Sequence, residues 1–124
     1  MDTKHASLLA THEVEGWALI DAEARNKESP ATFEIPSLKE RQSLKRGSLV
    51  KLVFSFAKVR DDAYPMIVPS TERMWVYVLA VSSDPSGNVE YTGKLDNAPY
   101  TTDVIKYGDF VHFEPRHVAS LLEV

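Results

Sequence analysis

Of the four histidines in the chain, His112 and His117 are the close pair, with Glu114 between them in the run H-F-E-P-R-H. Imidazole nitrogens and a carboxylate oxygen are donors that a transition metal accepts. A small enzyme or metal-binding protein would therefore be built on His112, Glu114 and His117. The spacing does not match a helical metal motif, because the run reads as a strand, then a proline turn, then a helix. A hydrogen-bonded structural histidine is the plainer reading. The chain has no G-x-S-x-G elbow, no phosphate-cradling glycine loop and no H-E-x-x-H, so nucleophilic, nucleotide and zinc-protease chemistry have no sequence anchor. Glu72, Glu90, Asp96, Asp109 and Glu114 could do acid–base work if a sheet paired two of them with separated pKa values. Asp96, however, reads as a turn residue, Asp109 follows a turn glycine, and Glu90 falls on a wet strand face. No catalytic residue, metal or cofactor is assigned.

The stronger candidate is a binding surface. In E-R-M-W-V-Y-V a guanidinium and a carboxylate, Arg73 and Glu72, stand beside the rings of Trp75 and Tyr77, a mixture typical of interface anchors. Tyr91, Asp96 and Asn97 come from the same supersecondary unit. The expected face is Glu72, Arg73, Trp75, Tyr77, Tyr91, Asp96 and Asn97, recognising a protein or a small ligand. The bland alternative is a solvated Glu72–Arg73 pair worth little.

These residues need a hairpin to position them. Two β-rich runs flank Asp84-Pro85-Ser86-Gly87, and Pro, Ser and Gly together mark the turn. In the first run Met74, Val76, Val78 and Ala80 face one way, and Arg73, Trp75, Tyr77, Leu79 and Val81 the other. In the second, Val89, Tyr91, Gly93 and Leu95 alternate with polar residues, and Gly93 marks a bulge or a close backbone approach. Asp96-Asn97-Ala98-Pro99 is a turn.

Before the hairpin, Gly16 to Asn26 reads as a short amphipathic helix, with Trp17 as a packing anchor. Thr32 to Ile35, between Pro30 and Pro36, is extended. Ser37 and Glu40 form a capping-box pattern that opens a helix through about Lys45, and Gly47 supplies the stop. Ser48 to Ala57 is an interior strand, apolar on both faces. Lys58 to Ser70, with Pro65 and Pro69, is a long exposed loop from which Met66-Ile67-Val68 can fold back. After the hairpin come a last strand over Gly108–Phe113 and a closing helix from Pro115 through His117, Val118, Leu121 and Leu122. Leu44-Lys45-Arg46-Gly47-Ser48-Leu49-Val50-Lys51-Leu52 is echoed in kind by Ile105-Lys106-Tyr107-Gly108-Asp109-Phe110-Val111-His112-Phe113, the same local solution used twice. The sum is an α+β fold, a strongly bent antiparallel sheet of four or five strands that can close into a small barrel, with short flanking helices.

Bulk properties bound the rest. The chain has 124 residues, 44% hydrophobic and 26% charged, with no cysteine and a formal charge of −4. That is one ordinary domain over residues 16–124, preceded by a loosely ordered segment over residues 1–15. Thiolate metal sites, disulfides and cysteine nucleophiles are excluded. An acidic balance gives no reason to expect a nucleic-acid partner, since that affinity rests on Lys and Arg neutralising phosphates, although a local basic patch stays compatible with it. No run approaches the roughly 20 apolar residues of a membrane span, and the first residues lack the apolar core of a secretory signal. A cytoplasmic protein is expected.

Three segments, E-R-M-W-V-Y-V, Y-T-G-K-L-D-N-A-P and Y-G-D-F-V-H-F-E-P-R-H-V, resemble the bacterial YegJ-like family, a domain of unknown function; G-W-A-L-I-D-A-E-A-R, T-F-E-I-P-S and G-S-L-V-K-L-V-F extend the similarity from about Gly16 to the end. Ser48 stands where the family's Gly-Asp turn has its acid. The resemblance implies a strand-rich cytosolic bacterial protein and brings no catalytic residues with it. A non-catalytic binding module is the leading reading; a toxin-neutralising immunity protein, or an enzyme on His112, Glu114 and His117, are the alternatives.

Overall fold

Strand β2 (Leu49–Phe56) carries apolar side chains on both faces and is paired along both edges. Everything else is arranged on it. A computed structural model describes residues 9–57, 70–100 and 102–122. Along the sheet the order is β1 (Trp17–Leu19), β2, β3 (Thr71–Ser83), β4 (Val89–Leu95) and β5 (Phe110–Phe113), with β6 (Val118–Leu122) also on β2. Every pairing is antiparallel. The sheet curls into a half-barrel, and two short helices, α1 (Ala22–Glu28) and α2 (Leu38–Gln42), complete an α+β fold with a bent sheet. The loop expected over residues 58–69, including Met66–Val68, lies outside the described residues, as do residues 1–8.

The inner face of the half-barrel holds the main core. Val50, Leu52 and Phe54 from β2, Met74, Val76 and Val78 from β3, Tyr91 and Leu95 from β4, and Val111 and Phe113 from β5 are all buried there. Trp17 packs its ring 5.4 Å from Phe54, and Tyr91 lies 5.1 Å from Phe113. A smaller cluster sits on the other side of β2, where Val53 meets Ala22 and Ala119 under Ile20, Phe33 and Ile35. That cluster is why β2 reads as apolar on both faces.

Two expected helices are strands, for one reason. Trp17–Leu19 forms β1 instead of a helical turn, and Val118–Leu122 forms β6 instead of a closing helix. They lie end to end on the same edge of β2, β1 against Phe54–Phe56 and β6 against Leu49–Leu52. Between them Ile20 donates to the Val53 carbonyl at 2.9 Å as the chain turns away. An interior strand with an open edge leaves backbone donors and acceptors unpaired in an apolar setting, a cost above the small difference between helix and strand propensity in so short a segment. The helical period survives only past Asp21, whose carboxylate caps the amide of Ala24. Pro115–His117 shrinks to a single 3₁₀ turn.

Local expectations fare better. The Ser37–Glu40 capping box is present in both directions, with α2 ending at Gln42, short of Lys45. The hairpin turns at Asp84–Asn88, where the Asp84 carboxylate accepts from the amides of Ser86 and Asn88. Gly93 is a close-approach glycine: a Cβ there would stand 2.5 Å from Val76 Cγ1 and 2.8 Å from the Tyr77 carbonyl, and the β3–β4 register shifts beside it between Val78 and Ala80. That bulge turns Ala80 out to solvent instead of continuing the inner face.

The internal echo is a structural one. Gly47 (φ 97°) and Gly108 (φ 88°) both adopt left-handed backbone. The Lys45 amide donates to Ser48 Oγ at 3.1 Å, and the Lys106 amide to Asp109 Oδ2 at 2.8 Å. Gly47 donates to the Val78 carbonyl and Gly108 to that of Leu95, while Val78 and Leu95 donate back to Ser48 and Asp109. Leu44 and Ile105 anchor the two turns in the core. Ser48 thus serves with its hydroxyl as Asp109 does with its carboxylate, because the turn requires only a side-chain acceptor at that place.

Candidate functional site

Among the described residues, α1 and the Phe33–Ile35 segment pack on the outer sheet face around Val53, and the face around Tyr77 and Phe110 is exposed. Pairing registers place Leu122, Leu49, Tyr77, Lys94 and Phe110 side by side in one row across five strands. The neighbouring row is Ser120, Lys51 and Trp75. Strand neighbours in register share a face, so these side chains form one surface. Tyr77 is 41% exposed, Leu122 46% and Phe110 65%.

The expected recognition residues divide accordingly. Arg73, Trp75 and Tyr77 do lie together on this face. The Arg73 guanidinium stacks 4.9 Å from the centre of the Phe33 ring, and the Lys51 ammonium lies 4.9 Å from that of Trp75. Trp75 is half-buried, so it is neither lost in the core nor free of its neighbours. Glu72 pairs with Phe54 and so belongs to the opposite face, where its carboxylate accepts from the Tyr100 amide at 3.1 and 3.0 Å. Asn97 is scaffold: its Oδ1 accepts from the Trp75 amide, and the Asp96 amide donates to the Trp75 carbonyl at 2.9 Å. The turn thereby continues the ladder past the end of β4.

Tyr91 does not belong to this surface. It is 1% exposed, and its hydroxyl donates to the Arg41 carbonyl at 2.8 Å while accepting from the Leu44 amide at 3.3 Å. Burial pushes its phenol above the ordinary value of 10.0, partly offset by the bond from Leu44. Its alternation with Gly93 and Leu95 turns it inward, as the strand period requires.

The metal candidates are not brought together. His117 is buried, and its Nδ1 accepts from the Glu114 amide at 2.9 Å, which places that ring's proton on Nε2. His112 is hydrogen-bonded through Nδ1 to Thr92 Oγ1 at 3.1 Å. The Glu114 carboxylate accepts from Arg116 Nε at 2.9 Å. Among the described residues no group of three or more His, Asp or Glu side chains stands close enough to hold a metal ion.

A groove of about 450 Å³ opens at one end of the half-barrel, lined by Glu23, Gln42, Asp84, Asn88, Glu114 and Arg116 among others. Its charges are already engaged. Glu23 pairs with the buried Arg41, Arg116 bridges Glu114 and Asp21, and Asp84 closes its own turn. Lys51, Arg73 and Lys94 on the open face differ, since among the described residues none stands in an ion pair.

Lys51, Lys94, Phe110, Leu49 and Leu122 join the face only through strand register. The one sequence signal was the alternation of their own strands, which fixes a side of each strand but not which strands lie next to one another. No protein-family model, curated protein or solved structure matches the chain. No helix among the described residues is long and apolar enough to cross a membrane.

Proposed function

We propose that the protein is a non-catalytic binding module whose open outer sheet face, centred on Arg73, Trp75 and Tyr77, recognises a partner. The observation that supports this reading is the juxtaposition of aromatic rings with cations that stand in no ion pair among the described residues, all on one hydrogen-bonded sheet surface. Aromatic and guanidinium groups on a preformed surface lose little freedom on binding and supply most of the energy at interfaces. Glu72, Asp96 and Asn97 serve that face as scaffold, by holding the first half of β3. A cytoplasmic location in a bacterium and kinship with the YegJ-like group belong to the same proposal; they rest on composition and on the segment resemblance.

Affinity capture from a bacterial lysate, with wild type beside a Trp75→Ala/Tyr77→Ala double variant, is the direct test. A species retained by the wild type and lost with the variant is expected, with circular dichroism confirming that the variant folds. Capture unchanged by the double substitution would place binding elsewhere and end this reading.

A further inference from the structure

We propose that the outer face binds single-stranded nucleic acid; this rests on the binding-module reading above and names its partner. The net charge of −4 points the other way, but it sums over the whole chain, whereas a bound strand feels the local field. Charges more than about 10 Å apart across water are largely screened at 0.1 M salt. Six of the chain's 14 Lys and Arg residues stand on the face or in the two equivalent turns at its rim: Lys51, Arg73, Lys94, Lys45, Arg46 and Lys106. Asp96 and Asp109 bring carboxylates into the same region, and an oxygen of Asp109 accepts from the Lys106 amide at 2.8 Å. The turns adjoin the row directly. A Cβ on Gly47 would lie 3.8 Å from the Tyr77 hydroxyl, and one on Gly108 would lie 3.7 Å from Lys94 Cε.

The order of side chains matters as much as their charge. Tyr77, Lys94 and Phe110 are in register on three successive strands. At about 4.8 Å between strands, the two rings stand roughly 10 Å apart with an ammonium between them. An unpaired base has an open π-face for each ring, and the phosphate that links two bases falls to the lysine. Tyr107, 67% exposed in the second turn, extends the aromatic surface. Bases in a duplex hide those faces in their own stack, so the arrangement selects single strands. An acidic protein segment would use the cations and leave the rings without a matching surface.

Fluorescence anisotropy with a labelled single-stranded oligonucleotide of about 12 nucleotides, as DNA and as RNA, tests this. The affinity is expected to fall between about 50 and 200 mM salt, with a log–log slope near −0.7 for each phosphate neutralised. Lys94→Glu and Lys51→Glu reduce that slope. Tyr77→Ala and Phe110→Ala each weaken binding by about five- to tenfold and leave the slope unchanged. Ser86→Glu, at the distant hairpin tip, changes neither. The proposal is overturned if wild type fails to bind at low salt, or if duplex binds as tightly as single strand. It is equally overturned if poly-glutamate competes as well as the oligonucleotide while the aromatic variants bind normally, an outcome that assigns the face to an acidic protein segment. Loss of oligonucleotide binding alone leaves the parent reading standing if lysate capture still depends on Trp75 and Tyr77; failure of both removes both.

Discussion

The hydroxyl of Tyr91 donates to the Arg41 carbonyl at 2.8 Å, tying the middle of β4 to the end of α2 across the mouth of the half-barrel. The same oxygen accepts from the Leu44 amide, so one phenol satisfies both backbone groups where the chain leaves the helix for the first glycine turn.

Replacing Tyr91 with Phe keeps the ring against Phe113 and removes both bonds. The Arg41 carbonyl and Leu44 amide are then left in a buried setting without that partner, at an expected cost of about 1–3 kcal/mol. Urea unfolding should show a lower midpoint with an unchanged slope.

The same residue sets an alkaline limit. Its phenol is raised above 10.0 by burial, so the folded state holds the proton more tightly than the unfolded chain. The stabilisation is full below the unfolded value and is lost as pH rises through the folded one. The stability difference between wild type and Tyr91→Phe should therefore stay constant up to about pH 10 and shrink above it. A constant difference across that range would contradict the assignment.

Gly93→Ala should be among the most damaging single substitutions. The new methyl meets the Tyr77 carbonyl at 2.8 Å and Val76 at 2.5 Å, and backbone cannot move aside as a flexible side chain can. A loss of about 2–3 kcal/mol is expected, seen as a drop in thermal midpoint. Gly87→Ala meets nothing within 4 Å, but its φ of 86° is strained for alanine; about 1 kcal/mol is expected there.

Arg41 is a buried charge, 6% exposed. Its guanidinium donates to the Pro36 carbonyl at 2.9 Å, to the Pro115 carbonyl at 3.2 Å and to the Glu23 carboxylate, joining both helices to the 3₁₀ turn. Arg41→Ala strands two carbonyls and is expected to cost about 3 kcal/mol or more in denaturant titrations. Glu23 is about one-third exposed, so water can replace it, and Glu23→Gln should cost well under half as much.

The capping box of α2, the hairpin turn, the two glycine turns and the inward set Met74, Val76 and Val78 were legible in the sequence. Each depends on residues within a few positions of one another, where side-chain acceptors, glycine and the two-residue period act alone. The helices drawn over Trp17 and over Val118–Leu122 were not strands by any local signal. β2 made them so, because its second edge needed backbone partners and these two segments, a hundred residues apart in sequence, met there. The candidate face follows the same division. Sequence alone placed Arg73, Trp75 and Tyr77 on one side of one strand. The two-residue period of their own strands keeps Glu72 and Tyr91 off that side, and register across the sheet added Lys51, Lys94 and Phe110. Which strands become neighbours is settled by the burial of the whole sheet, a global quantity that no single strand's alternation contains.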